Sequence, residues 1–508
     1  MSDATSYSKL GYLITAKEST AGTAVYPDTA HELLSESMIA NWDWTASGTI
    51  AGSRSKNFRP IKNRVGPFSG DVTFLIEPNL VGEWLGGVLG DATDTTLNAG
   101  YAYQHDFEPE NTLLTYTMDV AIANEDYVHR YIGARISNME FSIADNKLQA
   151  KASIMAQRVF QNARVTTAAA AGTALVLDQT TGLTVSDTIQ VLDADAPGTV
   201  LATLTIAAVV SETVLTVSAI GASLSVDDIV VIKRDATPSY DLSNELIFSG
   251  GASAYFGTGT NNMQNLSTVT NVENMTVSIT NDLEARWAAT GTDVVDRMPS
   301  NILVKGIEVK GSFSNFHINP EHLDQLRQME QVGVRFTFNG KTALEANVAV
   351  AAAATFESDG VGTGSVTVDA TGEAGNDYAL LIVQGTSTLS AAISSKLITV
   401  TLASIAANNT ITLVAAAIDA LAGVACASTG ADLVTTTDNP NKIYFNGGRD
   451  ASEVEMLRFD FPCVRFEPFG TNLTEDGIVN EEISFTAFRD PSEKREINVR
   501  VRNDIANY

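Results

Sequence analysis

The sequence predicts a mainly β protein. It reads as two tandem β-sandwich or β-barrel units, each with a short helix, joined by two small inserted modules, one all-β and one α+β. Three observations predict this. One strand–proline–helix unit is written twice. Apolar residues alternate with period two over many stretches. Two passages change composition abruptly.

The first unit holds Gly66-Pro67-Phe68-Ser69-Gly70-Asp71-Val72-Thr73-Phe74-Leu75-Ile76, then Glu77-Pro78-Asn79-Leu80 and a helical stretch to Gly90. The second holds Val309-Lys310-Gly311-Ser312-Phe313-Ser314-Asn315-Phe316-His317-Ile318, then Asn319-Pro320-Glu321-His322-Leu323 and a helical stretch to Gly333. The second strand carries one extra residue, which reads as a bulge. A repeat bears directly on assembly. Three chains with two units each can build a ring of six.

Four blocks follow from composition. Block one spans 1–163 and opens with a polar arm. Its strands alternate cleanly: Tyr116, Met118, Val120 and Ile122 against Thr117, Asp119 and Ala121; Met139, Phe141 and Ile143 against Asn138, Glu140 and Ser142; Leu148, Ala150, Ala152 and Ile154 against Gln149, Lys151 and Ser153. Such alternation marks antiparallel strands with one buried face. Block two, 164–237, is rich in Ala, Thr, Val and Asp and lacks Trp, Phe and Tyr. Its short apolar runs Ile189–Leu192, Val214–Val217 and Ile229–Ile232 predict a small all-β module.

Block three is the second unit, 238–345 and 451–508, with strands around Val334, Phe336 and Phe338; Leu457, Phe459 and Phe461; Ile483 and Phe485; and Ile497, Val499 and Val501. Block four, 346–450, interrupts a hairpin of that unit and contains a helix from Thr412 to Leu421. Hairpin tips accept inserted domains because few contacts cross there. The matching tip of the first unit is the turn near Glu125.

The length of 508 residues allows two to four domains, and 44% apolar with 18% charged residues suits a folded chain. A net charge of −28 excludes wrapping of phosphates by clustered Lys and Arg. Cys426 and Cys463 lie far apart and read as buried free thiols. The opening Met1-Ser2-Asp3-Ala4 lacks the pattern of a signal sequence, and no run is long enough to span a membrane. A soluble protein made in the cytosol is expected.

No catalytic constellation emerges. His31, His105, His129, His317 and His322 are scattered, and the last two are spaced for neither a helical metal pair nor a zinc site. Gly360-Val361-Gly362-Thr363-Gly364-Ser365 is Gly-rich without a following Lys, so it reads as a turn and not a phosphate cradle. Asp193-Ala194-Asp195 and Asp227-Asp228 read as solvated loops, without the further ligands calcium requires. No cofactor and no enzyme activity is expected.

The first unit resembles the tail tube proteins of long-tailed bacteriophages. The residues that carry the resemblance are Lys17-Glu18-Ser19-Thr20-Ala21-Gly22-Thr23 with Pro27, Gly70 to Gly90, Tyr103-Gln104-His105-Asp106-Phe107 and Tyr131-Ile132-Gly133-Ala134-Arg135-Ile136. The second unit matches more loosely. Blocks two and four resemble decorating modules of phage structural proteins, through Thr371-Gly372-Glu373-Ala374-Gly375-Asn376 and Gly447-Gly448. The resemblance implies a virion tail protein whose subunits close into homotrimeric, pseudo-hexameric rings. Stacked rings form a tube for double-stranded DNA around the tape-measure protein, capped by tail terminator and tail-tip proteins, with no membrane anchor.

In such a tube the strands' polar faces would bring Asp71, Asp119, Glu140, Asp460 and Glu482 to the channel. Carboxylates there offer DNA no phosphate trap, and screening confines their repulsion to about 8 Å. Lys151, Lys310 and Arg500 make those faces mixed. Trp42 and Trp44, in the polar arm, are candidates for packing on a neighbouring subunit. Two other readings fit less. A β-modular surface adhesin or carbohydrate-binding virion protein would explain blocks two and four but calls for an export signal. A hydrolase would need the missing nucleophile, base and orienting group.

Overall fold

The computed structural model describes residues 11–39, 44–46, 60–62, 65–98, 102–121, 128–144, 147–196, 198–234, 252–258, 263, 266–269, 272–288, 298–315, 332–343, 351–371, 373–439, 442–445, 454–467, 481–491 and 493–508. The first half contains β1 (Tyr12–Lys17), β2 (Thr29–His31), β3 (Ser35–Glu36), β4 (Trp44–Ala46), β5 (Pro60–Lys62), β6 (Phe68–Leu75), α1 (Val81–Leu89), β7 (Thr93–Asn98), β8 (Ala102–Phe107), β9 (Tyr116–Ala121), β10 (Val128–Ala144), β11 (Lys147–Ala156) and β12 (Arg158–Phe160). A small closed barrel follows: β13 (Ala163–Thr167), β14 (Ala174–Leu177), β15 (Thr188–Leu192), β16 (Val200–Val209), β17 (Val214–Val217) and β18 (Ile229–Lys233).

The second half begins with β19 (Ala252–Thr258), β20 (Ser267–Val269), β21 (Val272–Arg286), β22 (Asn301–Asn315) and β23 (Val332–Ala343). An α+β module interrupts it. Its sheets are built from β24 (Ala351–Glu357), β25 (Thr363–Thr371), β26 (Ala379–Gln384), β27 (Ser390–Ser394), β28 (Leu397–Leu402), β29 (Val424–Thr429) and β30 (Ile443–Tyr444), with α2 (Ile411–Asp419) before β29. The half ends with β31 (Val454–Phe466), β32 (Glu481–Ala487) and β33 (Asn498–Asn503).

The strands of the two halves pair in the same order. In the first half, neighbours run β2–β1–β9–β10–β11–β6–β3, all antiparallel. In the second they run β20–β19–β23–β31–β32–β22–β21, again all antiparallel. The match extends to an irregularity. Between Tyr131↔Met118 and Ala134↔Tyr116, three steps on β10 face two on β9. Between Phe461↔Val334 and Val464↔Val332, three steps on β31 face two on β23. A bulge bends the strand carrying it, so both long strands turn at the same place. In the first half Gly133 sits in this bulge at φ 63, and a Cβ there would come 2.6 Å from the Gln157 side chain.

Four contacts join the halves. β10 pairs with β21, from Asn138↔Thr280 to Ser142↔Thr276, so one sheet runs β3–β6–β11–β10–β21–β22–β32. β33 lies between β31 and β8. Phe141 and Phe459 meet edge to face with centroids 4.8 Å apart, inside one apolar core drawn from both halves. The Tyr508 hydroxyl donates to the Pro78 carbonyl at 2.9 Å, fastening the end of the second half beside α1. The small barrel has a core shared with Tyr12, Ile14, Val128 and Phe160 of the first half. The α+β module has a core of its own, to which α2 gives Ile411, Val414 and Ile418.

Several expectations are refined. The helix of block four spans Ile411–Asp419, started by Thr410, whose hydroxyl accepts from the Leu413 amide. The Gly-rich stretch at 360–365 forms the turn between β24 and β25 and opens β25. Asp193 is a turn residue, its carboxylate accepting from the Asp195 amide at 2.9 Å. Asp228, expected on a loop surface, is buried and accepts from the Ser225 amide at 2.7 Å. Cys426 and Cys463 are free and half-buried rather than fully buried. β22 pairs with β32 through Asn315 without a register shift. The rest of that stretch from 316 on, with the second proline-helix stretch, His317 and His322, lies outside the described residues.

Candidate functional site

The sheet that crosses both halves has two unlike faces. Toward the core it presents Val72, Ala152, Met139, Ile279, Val309 and Ile483, all buried. The alternate residues form cross-strand rows on the other face. One row runs Asp71, Ser153, Asn138, Thr280, Glu308. The next runs Thr73, Lys151, Glu140, Ser278, Lys310, Thr486. A third runs Gln149, Ser142, Thr276, Ser312, Ser484. Period-two patterning on each strand puts these polar side chains on one side once the register is set.

The polar groups on this face satisfy one another. The Lys151 ammonium lies 2.8 Å from Asp71, and the Ser153 hydroxyl donates to Asp71 at 2.7 Å. Lys151 and Ser153 together hold the Asp71 carboxyl below the usual carboxylate range. Ser278 and Thr280 both donate to the Asn138 side-chain oxygen, at 3.0 and 2.8 Å. Thr276 and Ser312 share a hydrogen bond of 2.6 Å. Lys310 pairs with Glu308 at 2.9 Å. Each of these two lysines has an acid beside it, and hydroxyls and amides fill the space between. Such a surface has no array of uncommitted cations for a phosphate backbone.

The five carboxylates expected on a channel face separate into two groups. Asp71, on β6, and Glu140, on β10, belong to the rows. Glu482, on β32, faces Ser314 of β22, and both Glu140 and Glu482 are exposed. Asp119 and Asp460 are corrections. Asp119 is fully buried in β9, which is covered on both faces. Asp460 is buried in β31. The small barrel lies over Asp119, and Asp460 is held between Arg335 and Arg458 where the α+β module meets the sheet, so neither carboxylate belongs to the open polar rows. Arg500, expected on the same mixed faces, is buried beside Asp106 at 2.7 Å. Trp44 lies in β4, its backbone opposite Lys62 of β5, and Trp42 is outside the described residues.

Sequence reasoning did not single out Arg130 and Arg335, which the fold makes central. Arg130 donates to Asp119 through Nε at 2.6 Å and one terminal nitrogen at 2.8 Å. It also donates to Asp187 of the small barrel at 2.5 and 2.8 Å. Arg335 donates to Asp460 at 2.5 Å and to Asp377 of the α+β module at 2.8 Å. An arginine among apolar strand residues, with an acid on the neighbouring strand, is the signal the sequence offers.

The stretch from Lys17 to Thr23 also gains a physical meaning. Glu18 is buried, and its carboxylate accepts from the Gly22 amide at 2.8 Å, the Thr117 hydroxyl at 2.9 Å and the Gly133 amide at 2.8 Å. The acid ties the first loop to the bulge of β10. Gly22 takes φ 76 to make that turn.

Among the described residues, no group of three or more His, Cys, Asp or Glu stands close enough to hold a metal ion. No described helix is long and apolar enough to cross a membrane. No curated protein matches the chain. Residues 8–243, which include every strand from β1 to β18 and all four stretches that suggested the resemblance, match the family described as phage tail tube protein, and that match supports a tail tube protein located in the virion tail.

Proposed function

We propose that the chain carries two copies of the tube domain and that three chains close into a ring of six such domains. Stacked rings would form a hollow conduit for double-stranded DNA. The observation that carries this reading is the sheet shared by the two halves, whose polar face continues from β6 to β32 without a break at the β10–β21 junction. The equal pairing order and the shared bulge support reading residues 238–345 and 451–508 as a second copy, although the family match ends at 243. The first copy would occupy 1–163, with accessory modules at 164–237 and 346–450.

In this reading Asp71, Glu140 and Glu482 line the channel among hydroxyls, amides and acid-paired lysines. Closing the sheets of three chains into one barrel removes the open edges that each chain alone presents. A ring carries 3 × −28 = −84 formal charges. Most of these lie away from the polar rows, which balance nearly to neutrality. DNA would slide past a hydrated wall that neither traps it nor strongly repels it. The chain acts as structure and not as a catalyst. A tape-measure protein would fill the channel before DNA, and terminator and tip proteins would cap the stack. The two modules would stand on the outside of the tube, with Trp42 and Trp44 of the arm at contacts between subunits.

The test is electron microscopy of the protein assembled with its tail partners, together with mass measurement of the rings. Three chains per ring and a channel bounded by the β6–β11–β10–β21–β22–β32 sheet are expected. Six chains per ring, or that face buried against protein, would overturn the reading.

A further inference from the structure

Each half holds its accessory module by the same device. Register places Asp119 opposite Arg130 in the first half and Arg335 opposite Asp460 in the second. Each pair lies one residue before the bulge on the long strand, so the two pairs are equivalent in position and reversed in sign. Each arginine then reaches out of the sheet to an aspartate of a module: Arg130 to Asp187 and Arg335 to Asp377. Each tube aspartate also takes a second arginine. Arg234, at the exit of the small barrel, lies 2.6 Å from Asp119, and Arg458 lies 2.8 Å from Asp460. Both sites therefore contain two arginines and two aspartates in the same connectivity.

The geometry points to Arg130 and Arg335 as module-positioning residues, each fixing the angle at which one accessory module stands on the tube domain. A guanidinium is a planar fork with donors on more than one edge. Arg130 offers two adjacent edges, each to both oxygens of one carboxylate, so the barrel's Asp187 is held in a plane set by β9 and β10. Arg130, Asp119 and Asp187 are at most 1% exposed. The second clamp makes one bond to each aspartate, and Arg335 and Asp377 are 12% and 20% exposed. It borders a cavity of about 440 Å³ lined by Arg335, Asp377, Lys396 and Arg458. Water reaches the second clamp and not the first. The small barrel is thus the fixed module and the α+β module the one more easily freed. These contacts lie within one chain and do not depend on how rings form.

The test uses the full soluble chain. Asp377→Ala removes the module's acceptor and leaves Arg335 paired with Asp460. Lys396→Met removes the module's own cation from Asp377, 3.1 Å away, and leaves the clamp whole. Limited proteolysis at the module's two junctions reads attachment, and circular dichroism with a melt of the module reads its folding. Removing one charge-assisted hydrogen bond from a closed interface makes opening roughly 10-fold or more easier. Asp377→Ala should therefore release an intact, folded module about 10-fold faster, with Lys396→Met at the wild-type rate. Equal rates for Asp377→Ala and wild type would overturn the assignment. So would equal acceleration by Lys396→Met, or a module unfolded by Asp377→Ala, since the aspartate would then serve the module's own fold.

Discussion

Arg130 of β10 and Asp460 of β31 occupy the same place in two equally ordered sets of strands and carry opposite charges. Each is partnered across the sheet by its complement, Asp119 or Arg335. A buried ion pair is strongly unfavourable to break and only weakly dependent on which strand supplies which sign. The two halves can therefore exchange acid and base between strands while keeping one geometry.

The clamps make the fold sensitive to acid. Burial raises the Asp460 carboxyl, but Arg335, Arg458 and Arg500 outweigh it and leave it well below the ordinary range. The same balance lowers Asp119, through Arg130 and Arg234, and Asp377, chiefly through Arg335. A carboxyl depressed in the folded state contributes stability that is present above its unfolded value of about 3.9. That stability is lost as pH falls through the lower folded value. Unfolding free energy should be nearly flat from pH 7 to 5 and drop steeply below about pH 4. Denaturant melts across pH read this, and stability that rises on acidification would contradict it.

Glu18 should behave as a structural lock. Replacing it by Ala leaves the amides of Gly22 and Gly133 without their acceptor in a buried site. An unsatisfied buried donor costs about 1–3 kcal/mol, so Glu18→Ala should destabilise the first half by at least about 2 kcal/mol. Denaturant melts measure the loss. A change within about 0.5 kcal/mol would show that the loop does not need the acid.

The shared core predicts that the halves unfold together. Phe141 and Phe459 touch across the junction, and both are essentially fully buried. Phe141→Ala should cost about 3–5 kcal/mol and lower hydrogen-exchange protection in β31 and β33 as well as in β10 and β11. Protection lost in the first half alone would mean that the halves are independent folding units.

The proposed channel face can be made to bind DNA. Asp71→Lys with Glu140→Lys changes the face by +4 per chain and leaves Lys151 without its acid neighbours. Each phosphate then neutralised steepens the fall of affinity with salt by about 0.9 in a log–log plot. Tubes of this variant should retain DNA at low salt and release it at high salt, while wild-type tubes do not retain it. Unchanged DNA release would place these residues elsewhere than the channel.

Much of the sheet was legible because its signal is local. Met139, Phe141 and Ile143 on β10, and Ala150, Ala152 and Ile154 on β11, alternate on their own strands and needed no partner to be read. Asp119 misled for the converse reason. Its strand alternates equally well, yet a barrel built from residues 163–233 covers its outer face. Cover by distant chain leaves no periodic trace. The clamps were illegible because Arg130 and Asp187 are 57 positions apart, and Arg335 and Asp460 are 125 apart. The β10–β21 pairing likewise depends on register, which only the folded sheets define.

The most direct test of the account is a reconstruction of the assembled tube fine enough to separate the two halves of each chain. Three chains per ring are expected, with first and second halves alternating and Glu140 and Lys310 of each chain on the channel wall. A ring of six whole chains, or a channel wall built from other strands, would contradict it.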